Sequence, residues 1–390
     1  MIAQLRDFDL AEDALADATA RAAEKWPIEG IPKNGGAWLL TVARRAAIDR
    51  IRRKKTRTSE ASQATITLLA ESDEMAEDAH EIPDERLRLI FTCCHPALAQ
   101  EAQVALTLKT LCGLTAREIA RAFLVSEPTM NQRLTRAKSK IAKTGIAYEI
   151  PEGAALPDRL PQVLSVIYLI YNESYSAFEG QSLTRADLAN EALRLARLLA
   201  RLLPDPETLG LQALLCLHDA RRPARLGTKG EMIALENQDR AAWDQNLITE
   251  GKTTLIRALS ARHPGFYQIQ AAISALHCEA PSWDATDWPQ IAGLYNALNK
   301  LAPSPVVQLN RAVALGNSGD RGAALSILIA LEPDLADYQP YFAARADIHR
   351  QLGNNPEAFS DYDRAIDLSR NETERRFLSS QKSRLRNQNK

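Results

Sequence analysis

The chain of 390 residues has no segment that would cross a membrane. No apolar run approaches the roughly 18 residues of a membrane span, and the N-terminus has no apolar signal-peptide core. We therefore expect a cytoplasmic protein with no membrane partner. Its length allows two or three domains, and 45% hydrophobic with 25% charged residues is ordinary for packed domains.

Cysteine is scarce, and its placement argues against a metal site. The five cysteines form no CxxC pair. Cys93, Cys94 and His95 are adjacent, so on a helix they would diverge by about 100°, and no second cluster completes four ligands. Small buried thiols are the better interpretation, and we predict no metal and no cofactor.

A phosphate-binding loop is also missing. Residues 250–254 contain the order Gly-Lys-Thr, but the glycine that such a loop needs is replaced by Asn246, and no apolar strand leads into the segment. We expect no nucleotide site there.

What the sequence does contain is a predicted helix-turn-helix between Leu114 and Arg136. Thr115 and Glu118 form a capping box, which satisfies free N–H groups at a helix start. Ser126 is an N-cap for the second helix, and proline fits the first turn because that N–H has no helical partner.

The second of these helices has two different faces. Its apolar stripe has helical spacing and consists of Met130, Leu134, Ala137 and Ile141. With Ser126 at the N-cap, the predicted DNA contacts on the other face are Thr129, Gln132, Arg133, Arg136 and Lys140, and Lys143 shares that face. Such residues suit the base edges and phosphates of a major groove, although a solvated face of an ordinary helical hairpin is the alternative.

The net charge of −1 hides a segregation of charge. Residues 44–57 contain eight Arg or Lys and one acid, whereas residues 60–85 contain nine acids and no Lys or Arg. A basic helix followed by an acidic, poorly patterned stretch suggests a DNA-contacting module on a flexible linker.

Two amphipathic helices are predicted around a loop before this linker. In the first, residues 9–26, the apolar side is Leu10, Ala14, Leu15 and Ala18, and the exposed side is Glu12, Asp13 and Asp17. The loop from Trp26 to Gly36 is rich in proline and glycine. In the second helix, residues 37–53, the apolar stripe is Leu40, Ala43, Ala47 and Ile51.

Trp38 lies opposite that stripe, on the side of Thr41, Arg45 and Arg52. An exposed Trp among arginines can stack on an unpaired base while its neighbours hold phosphates. A structural Trp that covers a small core is equally consistent with the sequence.

Together these segments resemble a known family. Residues 38–44 and 47–53 look like the end of sigma region two, and residues 119–120, 125–126, 129–130 and 133–137 resemble the helix-turn-helix of sigma region four. Their order, with the acidic linker between them, is similar to that of bacterial extracytoplasmic-function sigma factors. Further segments resemble a subgroup with a long helical C-terminal extension: residues 93–98, 121–125, 218–222 and 303–307.

The resemblance implies a sigma factor that makes and breaks no bond itself. Core RNA polymerase and promoter DNA would be its partners, with Glu12, Asp13 and Asp17 on the polymerase clamp. The melted minus-ten element would meet Trp38, Thr41, Arg44, Arg45, Arg52 and Arg53. The second helix of the helix-turn-helix would read the minus-thirty-five element.

The sequence departs from this family at two places. Because the chain begins at Met1, most of the helix that opens region two is expected to be absent, which would weaken polymerase binding. Leu124 stands at a turn position where glycine is usual, so we expect a slightly different turn.

The extension ends in a repeat. Ala312, Gly319, Ala324 and Leu328 recur as Ala346, Gly353, Ala358 and Tyr362, each 34 residues later. This period predicts tetratricopeptide-like helix pairs with a concave groove for a protein or peptide partner. Two repeats rarely stand alone, so we expect them to dock on the helices between Leu160 and Leu301.

The predicted fold class is all-α, with five segments. They are a sigma region-two domain (1–57), an acidic linker (58–83), a region-four domain (84–147), a helical extension domain (158–301) and the repeats (302–380).

Polar groups in the middle of the extension could belong to a ligand pocket or catalytic centre, or to capped helix ends and paired charges. They occur in residues 171–173, 218–222, 238–240 and 267–268. Two other classes therefore compete with the sigma factor: a helix-turn-helix repressor or activator with a helical sensor domain, and an enzyme housed in the extension.

Overall fold

The computed structural model describes residues 5, 7–54, 82–123, 125–151, 155–175, 183–228, 231–369 and 372–388. Within these ranges the chain is helical, with an isolated β-bridge between Leu226 and Met232 and no strand. This confirms the all-α prediction. The chain divides into two compact units, residues 1–166 and 167–390. No helix in the described ranges is long and apolar enough to cross a membrane.

The first unit is built from two groups of helices. Its described helices are α1 (Phe8–Glu29), α2 (Gly35–Lys54), α3 (Ile82–Cys93), α4 (Gln100–Leu111), α5 (Ala116–Ala122), α6 (Glu127–Thr144) and the part of α7 (Ala155–Tyr175) up to residue 166. Most of the predicted acidic linker lies outside the described residues, as does the Leu124 turn.

Helices α1 and α2 pack through small side chains. Ala14, Ala18, Ala43 and Ala47 are all fully buried in one cluster, which lets the two helix backbones approach closely. Leu15, predicted on the apolar side of α1, is instead 51% exposed. Alanine, rather than the larger side chain, therefore sets the buried stripe.

The predicted loop from Trp26 to Gly36 is wrong in its bounds. Helix α1 runs through Pro27 to Glu29, and α2 begins at Gly35. Proline has no N–H, so Pro27 removes one helical hydrogen bond. Because Pro27 lies in the last turn, α1 tolerates this loss and ends two residues later. Gly30, with φ of 84°, then ends α1 and donates its N–H to the Trp26 carbonyl at 3.0 Å.

A buried glutamine joins the parts of the region-four domain. The Gln103 amide, on α4, donates to the carbonyls of His95 at 2.9 Å and Leu98 at 3.0 Å. Its oxygen accepts a hydrogen bond from Gln162 of α7 at 2.7 Å, and Arg159 of α7 donates to the Phe91 carbonyl at 2.8 Å. The first part of α7 is therefore anchored to this domain.

The second unit continues with α8 (Leu183–Leu202), α9 (Pro206–Asp219), α10 (Gln245–Leu259), α11 (Phe266–Glu279) and α12 (Trp288–Leu301). Three 3₁₀ turns, Arg222–Ala224, Leu235–Asn237 and Arg240–Ala242, connect α9 to α10. Helix α9 is buried around most of its circumference. A Cβ at Gly251 of α10 would lie 2.7 Å from the Leu217 side chain, so glycine permits this close packing.

The final helices form the predicted pairs: α13 (Pro305–Asn317) with α14 (Arg321–Leu335), and α15 (Gln339–Leu352) with α16 (Asn355–Leu368), followed by α17 (Glu372–Gln388). The residues that recur after 34 positions share their environments. Ala312 and Ala346 are both fully buried, and Gly319 and Gly353 both have positive φ, 105° and 80°. The repeat read from the sequence is thus a structural repeat.

Candidate nucleic-acid interface

The capping box at the start of α5 forms as predicted. The Thr115 N–H donates to the Glu118 carboxylate at 2.7 Å, and the Glu118 N–H donates to the Thr115 hydroxyl at 3.2 Å. Ile119 and Ala120 are buried, while Phe123 is half-buried. Helix α5 is therefore fixed at its N-terminus and packed on one face, as the first helix of a helix-turn-helix must be.

Helix α6 also begins and ends as its sequence indicates. The Ser126 hydroxyl accepts the Thr129 N–H at 3.3 Å. Gly145 ends the helix in the left-handed region, with φ of 64°, and donates its N–H to the Ile141 carbonyl. The predicted apolar stripe is the buried stripe of this helix: Met130, Leu134, Ala137 and Ile141.

The opposite face of α6 remains open. The exposed residues there are Ser126, Thr129, Gln132, Arg136, Lys140 and Lys143, and Arg133 is half-buried. A groove of about 340 Å³ runs between this face and the start of α4, where Leu98, Ala99 and Ala102 line its other wall. Cationic and amide side chains thus stand beside an apolar wall, an arrangement suited to both phosphates and thymine methyl groups.

Lys138 of α6 takes part in a contact that the sequence did not predict. Its ammonium lies 2.9 Å from Asp9 and 3.0 Å from Glu12, both on α1, and only 12% of its side chain is exposed. Burial lowers the pKa of Lys138, but hydrogen bonds to these carboxylates outweigh it and raise the pKa above its usual value. No local spacing signals a contact between residues 129 positions apart.

The three acids predicted to bind polymerase are all engaged within the chain. Glu12 pairs with Lys138, and Asp17 accepts hydrogen bonds from Arg50 of α2 at 2.9 and 3.2 Å. Asp13 pairs with the same guanidinium. Arg50 therefore links α1 to α2, which makes it a second residue that sequence reasoning missed.

Trp38 is part of an aromatic pair at the start of α2. Its ring centroid lies 5.5 Å from that of Trp26, and the side chain is half-buried. A Cβ at Gly35 would lie 3.3 Å from the Trp26 ring, so the backbone passes close to this pair. The pair fits the structural role that the sequence left open, while the partly exposed Trp38 ring still reaches the surface.

The predicted phosphate contacts of α2 do not share one environment. Arg45 and Arg52 are exposed and Thr41 is half-buried, but Arg44 is only 8% exposed. Arg44 follows the fully buried Ala43 in the sequence. The side chain of Arg53 lies outside the described residues.

The Cys-Cys-His segment does not form a metal cluster. Cys93 and Cys94 are buried, and burial raises the pKa of both thiols, that of Cys94 to about 12. The His95 ring accepts the Ala97 N–H at 3.1 Å. In the described parts of the chain, no group of three His, Cys, Asp or Glu side chains could hold a metal ion.

Several polar residues of the extension, among them Gln268 of the predicted polar groups, have structural roles. The Glu207 carboxylate accepts the backbone N–H groups of Tyr267 at 2.9 Å and Gln268 at 3.1 Å, so it caps α11 from a neighbouring helix. The Gln268 amide, fully buried, donates to Glu207 and to the His263 carbonyl. The Gly-Lys-Thr segment lies in the middle of α10, where Lys252 pairs with Glu279 at 2.8 Å.

Comparison with known proteins agrees with this architecture. Residues 3–57 match the family model of Sigma-70 region 2, residues 88–141 that of Sigma-70 region 4, and residues 159–259 a family of unknown function, DUF6596. An uncharacterized protein of Rhizobium meliloti (strain 1021) is 43% identical over 389 residues, covering 99% of this chain and 92% of the relative. The crystal structure of yeast Tom70 aligns with 97% of this chain and 86% of its own at 9% identity and a TM-score of 0.40, which is too weak to establish a shared fold.

Proposed function

Because the chain belongs to the sigma-70 family, as a factor of the extracytoplasmic-function type with a C-terminal extension, we propose that it binds core RNA polymerase and that its extension regulates it. Regions two and four support a role in promoter-specific transcription initiation as a non-catalytic specificity subunit. The observation that carries the DNA-reading part of the proposal is the open basic face of α6 beside the groove to α4.

In this proposal α6 reads the minus-thirty-five element. Gln132, Arg133 and Arg136 would contact the base edges, which is supported by their position on the face opposite the buried stripe. Thr129 and Ser126 at the N-terminal end, and Lys140 farther along, would contact the flanking phosphates.

Helix α2 and the turn before it would hold the melted minus-ten element. A flipped base would stack beside Trp38 and Thr41, and the exposed Arg45 and Arg52, with Arg53, would neutralise phosphates. Arg44 takes no part in this arrangement while it is buried. The Trp26–Trp38 pair would serve as the wall of the base pocket.

The clamp of polymerase would dock on α1 through Glu12, Asp13 and Asp17. Their present partners are Lys138 and Arg50, so docking would exchange ion pairs within the chain for ion pairs with polymerase. Such an exchange is inexpensive for exposed carboxylates, and Asp13 is 60% exposed.

The groove of the repeats would take a protein or peptide partner. Another segment of the same unit lies near the second repeat, since Glu236 influences the pKa of Arg350 and Tyr362. A cavity of about 570 Å³ remains between residues 231–237 and α17.

The decisive experiment is reconstitution with core RNA polymerase on genomic fragments, followed by mapping of transcript starts. We expect transcripts that depend on the protein and begin at specific promoters. A repressor or activator with a sensor domain would instead protect duplex DNA without polymerase, usually as a dimer on a palindrome. That result, or the absence of transcripts with both this chain and an N-terminally lengthened one, would refute the proposal.

A further inference from the structure

The ends of α9 and α11 meet the 3₁₀ turn Arg240–Ala242 inside the second unit. The Asp244 N–H donates to the Ala220 carbonyl at 2.9 Å, and the Cys278 thiol lies 3.7 Å from the Leu217 carbonyl. Arg240 donates to the carbonyls of His277 and Ala280, the latter at 2.8 Å. These bonds bring together three stretches of sequence that lie far apart in the chain.

Arg240 is held in place but lacks a counter-charge. Its guanidinium stacks over the Trp243 ring, 4.8 Å from the centroid, and its Nη2 is buried without a hydrogen bond. Burial lowers the pKa of Arg240, and the nearby Arg221 guanidinium lowers it further. Among the described residues neither arginine forms an ion pair with a carboxylate.

Two imidazoles complete the cluster without adding charge. The His277 Nδ1 is buried with no hydrogen-bond partner, and its ring lies 5.2 Å from that of Trp288. Burial, then Arg221 and Arg240, lowers the pKa of His277 to about 3, and burial with Arg221 also lowers that of His218. Both rings are therefore neutral at pH 7 and can donate a hydrogen bond.

The carboxylates of this region are occupied elsewhere. Asp219 pairs with Arg222 at 3.0 Å. Asp239 caps the 3₁₀ turn through the Ala241 N–H, and Asp244 caps α10 through the Asn246 N–H, both at 2.9 Å. Buried polar atoms in proteins normally have hydrogen-bond partners, but Arg240 Nη2 and His277 Nδ1 have none among the described residues. Beside a second guanidinium that has no carboxylate, these two free donors point to a missing anion.

We propose that Arg221, Arg240 and His277, with His218 at the edge, form an oxyanion-binding site, here called the arginine cluster, for the phosphate or carboxylate group of a small molecule. Guanidinium favours these groups because its planar fork matches two of their oxygens. The neutral imidazole would supply a further donor. The binding of such an anion does not depend on the role of the sigma regions.

The test is titration of the full-length protein with inorganic phosphate and, separately, with succinate at constant ionic strength. Calorimetry should show saturable binding, and the thermal unfolding temperature should rise with the anion because a ligand of the folded state stabilises it. Binding of phosphate alone would assign the site to phosphate groups, and binding of both would extend it to carboxylates.

Arg221→Gln is the informative variant, because the Arg221 side chain makes no hydrogen bond with the described residues, whereas Arg240→Gln would also free two backbone carbonyls. We expect Arg221→Gln to weaken anion binding at least tenfold and, without anion, to unfold at or above the wild-type temperature, since it removes repulsion. Arg257→Gln, on an exposed position of α10, is the control for charge. The proposal is overturned if neither anion binds the wild-type protein. It is also overturned if Arg221→Gln and Arg257→Gln bind the anion with equal affinity.

Discussion

Arg136 and Arg133 differ in exposure although they occupy the same face of α6. A base-reading arginine makes a bidentate contact at one position, whereas a phosphate contact is independent of sequence. We expect Arg136→Ala to cost about 1–3 kcal/mol in promoter binding and to relax specificity at one base pair. Binding to promoters with single substitutions would be measured, with Arg201→Ala in α8 as the control. Uniform weakening on all promoters would make Arg136 a phosphate contact.

Lys138 lies on the same helix but points to α1, not to the open face. Because its pairs with Asp9 and Glu12 are only partly buried, we expect Lys138→Met to lower the free energy of unfolding by about 1 kcal/mol. A double-mutant cycle with Glu12→Gln in urea would isolate the pair, and Lys143→Met, at an exposed position, is the matched control. Additive losses in the cycle would mean that the ion pair contributes nothing.

The depressed pKa of His277 makes stability depend on pH. The unfolded chain binds a proton at His277 below about pH 6.5, but the folded protein does not until about pH 3. The free energy of unfolding should therefore fall by up to about 1.4 kcal/mol per pH unit, from this group alone, as the pH drops through that window. In urea titrations at pH 6.5 and 5, His277→Phe should reduce the change in the free energy of unfolding between the two pH values. An unchanged difference in His277→Phe would contradict this.

At the scale of elements, the turns between repeat helices depend on glycine. Gly353 ends α15 with φ of 80°, and a Cβ there would meet no atom within 4 Å. Gly353→Ala should therefore cost only the backbone strain, about 1 kcal/mol in the free energy of unfolding. Gly293→Ala, in the middle of α12 with equally open space, should instead stabilise by up to about 1 kcal/mol. Equal effects of the two variants would rule out backbone strain at Gly353.

Sequence patterns predicted the elements whose signals are local. The capping box of α5 and the stripe of α6 each depend on residues a few positions apart, so local spacing determines them. The repeat glycines were visible because the whole helix pair recurs after 34 residues. The predicted loop began too early because Pro27 removes one helical hydrogen bond but does not end α1, which continues to Glu29. Density of proline and glycine indicates a boundary, not its exact residue.

The candidate site was less predictable because its key contacts are not local. Three contacts join separate helices: the ion pairs of Arg50 with Asp13 and Asp17, the ion pair of Lys138 with Glu12, and the ring contact of Trp26 with Trp38. Periodicity assigns a residue to a face of its own helix but not to a partner on another. For the same reason His218, Arg221 and Arg240 appeared in the sequence only as scattered polar groups, and His277 was not noticed at all.

At the scale of the whole molecule, one chain joins the sigma regions to the extension. Covalent linkage gives the two units an effective concentration in the millimolar range, so a weak contact is populated without high affinity. A chain that ends at Val166 keeps Arg159 and Gln162, which anchor α7 to the region-four domain, and loses the second unit.

Since we propose that the extension acts on the sigma regions, we expect this truncated chain to change promoter output from polymerase relative to the full chain. An increase would mean that the extension masks the DNA-binding faces, and a decrease that it supports them. Run-off transcription at matched protein concentration measures the change, and circular dichroism checks that the truncated chain is folded. Residues 167–390 can also be added as a separate polypeptide. They should restore the original output only at a concentration about 100-fold or more above that of the full chain in the assay, because the linkage is lost. If the folded truncated chain binds polymerase and transcribes as the full chain does, the extension does not regulate initiation.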